Sequence, residues 1–257
     1  MSTALYAASD LSSIRGRNEP PMTLHVGMVG TDGIVLAGDT LQWANPLPDS
    51  IPSRAGISTW MNHTMSKIKI SDDRKIAVAC AGALKEAYPL ADAIIAGLSL
   101  GSRQHPEGRI QEITQTFADS QSRWRGVQCL ILFSEPQPAL YLLECIPDEL
   151  TGKAQSPQCC AAPMYAFAGD SLNGAIFWAM RYYRILPPAK QAICYLQRLS
   201  AQIVADAGAL NTGSVGGLEL VYCDQSGIHS LSARENYVLL REAQERSADI
   251  LTRIIGD

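Results

Sequence analysis

Thr23 and Asp39 are the first residues along the chain whose types and placement can do chemistry together. Between them apolar residues alternate from Leu24 to Val29, Asp32-Gly33 supplies a tight turn, and residues 34–37 form an apolar run. That pattern predicts a β-hairpin. A hairpin sets the far ends of its strands side by side, so Thr23 and Asp39 are expected to be near neighbours. Downstream, Ser66-Lys67-Ile68-Lys69-Ile70 brings cations onto a further strand. Lys67 is the candidate, and Lys69 is its rival, because strand residues two apart share a face.

The chemistry open to such a group is amide hydrolysis, which needs a nucleophile, a proton acceptor and donors for the developing oxyanion. A threonine hydroxyl alone is inert. If Thr23 begins the chain, its own α-amine lies within reach of Oγ1 and can serve as base, since such amines titrate at about 7.7–8.0. A nearby cation holds that amine neutral by disfavouring a second positive charge. Lys67 fits that role, with Asp39 pairing to it, fixing its position and keeping it charged. The oxyanion is expected to meet a backbone N–H where a strand gives way to a helix after Ala81-Gly82, because a helix N-terminus offers unpaired donors.

These residues resemble the start of proteasome-type β-subunits, N-terminal-nucleophile hydrolases that include the bacterial heat-shock peptidase of the same fold. The resemblance rests on Thr23, Gly33, Asp39, Lys67 and Cys80-Ala81-Gly82, ungapped from 23 to 39 and from 67 to 82. It continues in element order, more weakly, to the C-terminus. It implies an α+β protein, a four-layer αββα sandwich of two antiparallel sheets flanked by helices, spanning residues 23–257. It further implies a threonine-type endopeptidase with the Gly82 amide as oxyanion donor and an acyl ester on Thr23. Ring homo-oligomers acting on unfolded polypeptide in the cytoplasm also follow from it, with an ATP-dependent unfoldase as an optional partner.

The family's supporting residues match less closely. Active members carry a Gly-Ser-Gly-like turn before the third helix, where this chain reads Ala168-Gly169-Asp170-Ser171. Either Asp170 replaces the serine or Ser171 serves from a shifted position. Members also carry an Asp and a Ser ahead of Gly-Gly. Here ungapped matching sets Thr212 and Val215 in those places, Ser214 is one residue off, and Asp206 lies too far upstream. Helix capping by Asp170 or Ser171, and close backbone approach at Gly216-Gly217, explain these residues equally well. The departures bear on turnover more than on fold. Two other readings stand beside the peptidase: a noncatalytic ring or scaffold subunit that keeps its N-terminal arm, and a small-molecule amidase on the same fold.

Residues 1–22 lack the apolar centre of a signal peptide. They read as a propeptide, as a retained arm, or as residues upstream of a true start at Met22. The last is favoured, because methionine is trimmed readily before a small residue and self-processing relatives carry Gly before the Thr. After Asp39, prolines 46, 48 and 52 argue against regular structure, and residues 43–56 read as an insertion relative to the family.

Beyond this the pattern predicts a second hairpin (65–72 with 75–81) and helices at 83–98, kinked by Pro89 inside it, and 109–122. Strands at 127–133 and 139–144, a loop over 147–163 and a strand at 164–168 follow. Helices to about 183 and at 189–207, a hairpin at 216–222 with 227–232, and a helix at 234–254 complete the chain. Strands in antiparallel hairpins and helices in pairs argue for two stacked sheets with helices outside.

Composition excludes little. The chain has 257 residues, 47% hydrophobic and 18% charged, and a net charge of −4 that gives no argument for nucleic acid or anionic membrane. No apolar run reaches transmembrane length. Seven cysteines without a CxxC pair read as reduced, mostly buried thiols, and no metal or cofactor is expected. Of the four histidines, His25 either lines the cleft or is held by strand contacts, and Cys80 lines a pocket or fills a small buried space. Gly213 to Gly217 lacks the Lys-Ser/Thr of a phosphate loop.

Overall fold

The computed structural model describes residues 23–43, 62–99, 105–169, 174–210 and 215–255. In chain order the first elements are β1 (Leu24–Val29), β2 (Ile34–Gly38), β3 (Leu41–Trp43), β4 (Asn62–Thr64), β5 (Ile68–Ile70), β6 (Ile76–Gly82), α1 (Leu84–Ser99) and α2 (Pro106–Asp119). Then come β7 (Val127–Phe133), β8 (Ala139–Cys145), β9 (Gln158–Ala161), β10 (Tyr165–Gly169), α3 (Gly174–Ile185), α4 (Ile193–Leu210), β11 (Glu219–Asp224), β12 (Gly227–Ser230) and α5 (Ala233–Ile255). The fold is α+β. One antiparallel sheet runs β10-β1-β2-β11-β12, the other β5-β6-β7-β8-β9, and β3 and β4 form a separate two-stranded ribbon.

Strand alternation decides which face each residue takes. In β1 and β2, Leu24, Val26, Met28, Val35 and Ala37 turn toward α3, α4 and α5. Their neighbours Ile34 and Leu36 turn the other way, onto Ala77, Ala79, Leu130, Leu132 and Leu140 of the second sheet. That sheet's opposite face, with Val78, Cys80, Cys129 and Ile131, is covered by α1 and α2. Each sheet therefore has a helix-covered face and a face shared with the other sheet, an arrangement compatible with the expected αββα sandwich. Burial on both faces explains why residues 34–37 read as a continuous apolar run. The sheets approach closely at Gly27, where an added Cβ would lie 2.7 Å from Leu140.

The sequence expectations and the structure part company at a few places. Residues 147–163 were expected to form a loop, but Gln158–Ala161 pairs with β8 as an edge strand. Its half-exposed Cys159 and Cys160 give no alternation, so only the partner strand defines it. The pairing of Leu41 with Thr64 was likewise unforeseen. Helix α2 starts earlier than expected, with Pro106 in its first turn, where a missing N–H costs nothing. Helix α4 starts later, at Ile193, whose N–H donates to the Asp32 carboxylate at 2.7 Å. Helix α1 continues through Pro89. No described helix is long and apolar enough to cross a membrane. Most of residues 43–56, and the cap positions Asp170 and Ser171, lie outside the described residues.

Leu130 is fully buried between the sheets while Leu150 is 97% exposed. Leu130→Ala is expected to lower unfolding free energy by about 2–5 kcal/mol, and Leu150→Ala by under about 0.5 kcal/mol. Chemical denaturation of the two variants checks this. Equal losses would contradict the placement of the shared core.

Candidate active site

The hairpin register carries Thr23 and Asp39 to one end of the first sheet. His25 faces Gly38 across β1 and β2, and the strands close beyond them through the Asp39 N–H, which donates to the Leu24 carbonyl at 3.1 Å. The Leu24 N–H returns a bond to Asp39 Oδ1 at 2.8 Å. The other carboxylate oxygen, Oδ2, accepts from Lys67 Nζ at 2.8 Å, and the same ammonium reaches Thr23 Oγ1 at 3.3 Å. Thr23, Asp39 and Lys67 are thus brought together, from two different sheets.

Lys67 and Asp39 form an ion pair whose side chains are 3% and 0% exposed. Removing two charges from water costs several kcal/mol each, and an isolated buried pair is a poor stabiliser. Burial pulls the Lys67 pKa below its ordinary value, and Asp39 and then Glu219 oppose that shift without cancelling it. Asp39 thus favours the charged ammonium against the desolvation that opposes it. Perturbed, paired and desolvated groups of this kind concentrate at functional sites. The rival Lys69 is settled by geometry: its Nζ meets Asp92 of α1 at 2.5 Å, away from Thr23.

Glu219 is the residue that sequence reasoning missed. It sits opposite Gly38 on β11. Its carboxylate accepts from Ser66 Oγ at 2.6 Å, from the Lys67 N–H at 2.8 Å and from the Ile68 N–H at 3.2 Å. One carboxylate of the first sheet thereby grips the entry to β5 in the second and sets where Lys67 begins. Tyr88 of α1 adds a bond from its hydroxyl to the Ser66 carbonyl at 2.6 Å. The only local signal for Glu219 was a charged residue opening an otherwise apolar strand.

Gly82 ends β6 with φ +140°, a conformation that favours glycine, and the chain turns there into α1. A side chain on Gly169 would overlap the Thr23 carbonyl and lie 3.3 Å from Ala81 Cβ, so the end of β6 lies beside Thr23. The Gly169 N–H donates to the Gln128 side chain at 2.9 Å, a second polar link between the sheets. Gly217 closes against Thr40, whose N–H donates to the Gly216 carbonyl at 2.9 Å, so the glycine pair does serve close backbone approach. Asp170, Ser171 and Ser214 lie outside the described residues.

His25 is fully buried and held by contacts within the fold. Its Nε2 lies 3.1 Å from the Cys80 carbonyl, an acceptor, so this nitrogen carries the proton. Nδ1 has no hydrogen-bond partner among the described residues. Burial, then the Lys67 charge, lowers the His25 pKa to about 3. Ser226, His229 and Asp224 have the residue types of a catalytic relay but not its geometry. Ser226 Oγ and Asp224 Oδ1 both meet the same nitrogen, Nε2, at 2.9 and 3.3 Å. A relay needs the base oriented through its other nitrogen. Among the described residues no group of three or more His, Cys, Asp or Glu is placed to hold a metal ion.

No family model matches the chain, and no curated protein matches it. What the site can do follows from its own geometry. His25 gives a direct check. The unfolded chain binds the imidazole proton below pH 6.5, whereas the folded chain binds it only near pH 3. Between those values the unfolded state holds more protons, so this group's contribution to stability falls as pH drops. NMR of the imidazole nitrogens is expected to show a neutral ring, protonated at Nε2, from pH 8 to pH 5. A midpoint near the ordinary histidine value would contradict the burial described.

Proposed function

We propose that the chain is a threonine peptidase of the proteasome β-subunit type, built on the N-terminal-nucleophile-hydrolase fold, with Thr23 as nucleophile. One observation carries the reading: a buried lysine bonds at once to the Asp39 carboxylate, at 2.8 Å, and to the Thr23 hydroxyl, at 3.3 Å. A carboxylate fixing an ammonium against a hydroxyl is the arrangement an activated Oγ needs.

The steps follow from that geometry once Thr23 is the first residue. Its α-amine takes the hydroxyl proton, and Oγ1 attacks the peptide carbonyl. The neighbouring Lys67 keeps the amine in its neutral, proton-accepting form. The Gly82 N–H receives the oxyanion, and the amine returns the proton to the departing nitrogen, leaving an ester on Thr23. Water, activated by the same amine, releases the acyl product. Asp39 and Glu219 act through Lys67, the first by charge and the second by holding its backbone.

A peptidase of broad specificity is hazardous in open cytoplasm. Enclosure in a ring of identical subunits restricts it to unfolded chains, delivered by diffusion or by an ATP-driven unfoldase.

Three measurements test the reading. Mass determination of the natively expressed protein is expected to give chains beginning at Thr23. Those chains are expected to cleave fluorogenic peptides, and Thr23→Ala to abolish cleavage. Lys67→Met is expected to lower kcat/KM by about 10²–10⁴-fold, the size of a proton-transfer or oxyanion contribution. Undiminished cleavage by Thr23→Ala would overturn the assignment. Retention of residues 1–22 without activity identifies a noncatalytic subunit instead, and turnover of small acyl-amides but not peptides identifies an amidase.

A further inference from the structure

Cys80 and Cys129 stand directly opposite each other in the antiparallel register of β6 and β7. Both are free thiols on the helix-covered face of the second sheet, and their sulfurs lie 2.7 Å apart. Opposed residues in an antiparallel pair hold their Cβ atoms about 4.5–5.5 Å apart, close to the range of about 3.5–4.5 Å that a disulfide spans. Little backbone movement separates the dithiol from the bonded pair. The two residues differ in exposure: Cys129 is fully buried, whereas Cys80 is 9% exposed. Desolvation and the neighbouring Cys80 also hold the Cys129 thiol well above its ordinary pKa. Cys80 therefore meets a small oxidant first, and Cys129 waits behind it.

We propose that Cys80 and Cys129 are a redox modification site, converted by a hydroperoxide into a reversible disulfide between β6 and β7. The Cys80 thiolate attacks one peroxide oxygen. The O–O bond breaks, Cys80 becomes a sulfenic acid, and the departing hydroxide (or alkoxide) takes up a proton. The Cys129 sulfur then attacks the Cys80 sulfur, the S–O bond breaks, and the leaving hydroxide carries off the Cys129 proton as water. Two thiols lose two electrons in all, and one peroxide is reduced.

The bond forms two residues before Gly82, at the residue whose carbonyl holds the buried His25. Oxidation thus pins the end of β6 to β7. The modification does not depend on Thr23 being a nucleophile, and its test is independent of hydrolysis.

The experiment treats the full chain with hydrogen peroxide at doses that preserve its circular dichroism. Remaining thiols are then alkylated, and the digest is mapped by mass spectrometry. The expected product is a Cys80–Cys129 linked peptide, lighter by two hydrogens than its parts and released by dithiothreitol. In Cys129→Ser, dimedone is expected to trap a sulfenic acid on Cys80; in Cys80→Ser, Cys129 is expected to remain a thiol at the same dose. If either variant fails to fold, the wild-type map still decides. Recovery of both residues as free thiols while Cys159, Cys160 or Cys194 is oxidised would overturn the proposal, as would oxidation of Cys80 to sulfinic acid with no linked peptide.

Discussion

A charged pair buried at the seam between two sheets is the constraint around which the rest is arranged. Lys67 and Asp39 are cut off from water, and each loses several kcal/mol of hydration in getting there. The surroundings offset that loss with directed bonds. Asp39 accepts the Leu24 N–H as well as the ammonium, and Lys67 donates to Thr23 as well as to the carboxylate. The Glu219 carboxylate binds the Lys67 N–H and adds negative charge nearby. Each of these bonds holds a group that would otherwise meet no water, which is why the geometry is held so tightly.

Polar links between the sheets gather at this end. His25 reaches the Cys80 carbonyl, the Gly169 N–H reaches Gln128, and Glu219 reaches Ser66, Lys67 and Ile68. Elsewhere the shared face is apolar, with Ile34, Leu36, Leu130, Leu132 and Leu140 packed among Ala77, Ala79 and Ala81, and the far end adds a backbone link from the Ile228 N–H to the Arg74 carbonyl at 3.1 Å. Dispersion and burial hold the apolar side chains of this face together without directing any one of them. The directed bonds at the Thr23 end do fix positions, of Thr23, Asp39 and Lys67 above all. Glycines complete the fit: Gly38 lies under the His25 ring and Gly169 against the Thr23 carbonyl, where a side chain would not fit.

Much of this could be read in the sequence wherever chemistry and local pattern coincide. Alternation plus Asp32-Gly33 marked the first hairpin, so Thr23 and Asp39 were legible as neighbours; the register itself, with Val29 opposite Ile34 and Gly30 to Gly33 in the turn, came from the structure. Lys67 was legible as the candidate with Lys69 as its rival, because residues two apart along a strand share a face and only the structure sends Lys69 to Asp92. Glu219 was not legible, since its partners lie 151 to 153 residues away and no local pattern announces a carboxylate that joins two sheets. The same holds for Cys80 and Cys129, whose opposition depends on the register of β6 against β7. Edge strand β9 was missed for a related reason, its half-exposed residues owing their conformation to β8.

The central claim is that the Lys67–Asp39 pair makes Thr23 Oγ1 a nucleophile. Covalent capture tests it most directly: mature protein is incubated with a peptidyl β-lactone and the added mass is located by tandem mass spectrometry. The account predicts an ester on Thr23 alone, strongly reduced in folded Asp39→Asn protein. Equal labelling of Thr23 in that variant, or labelling confined to other residues, would contradict it.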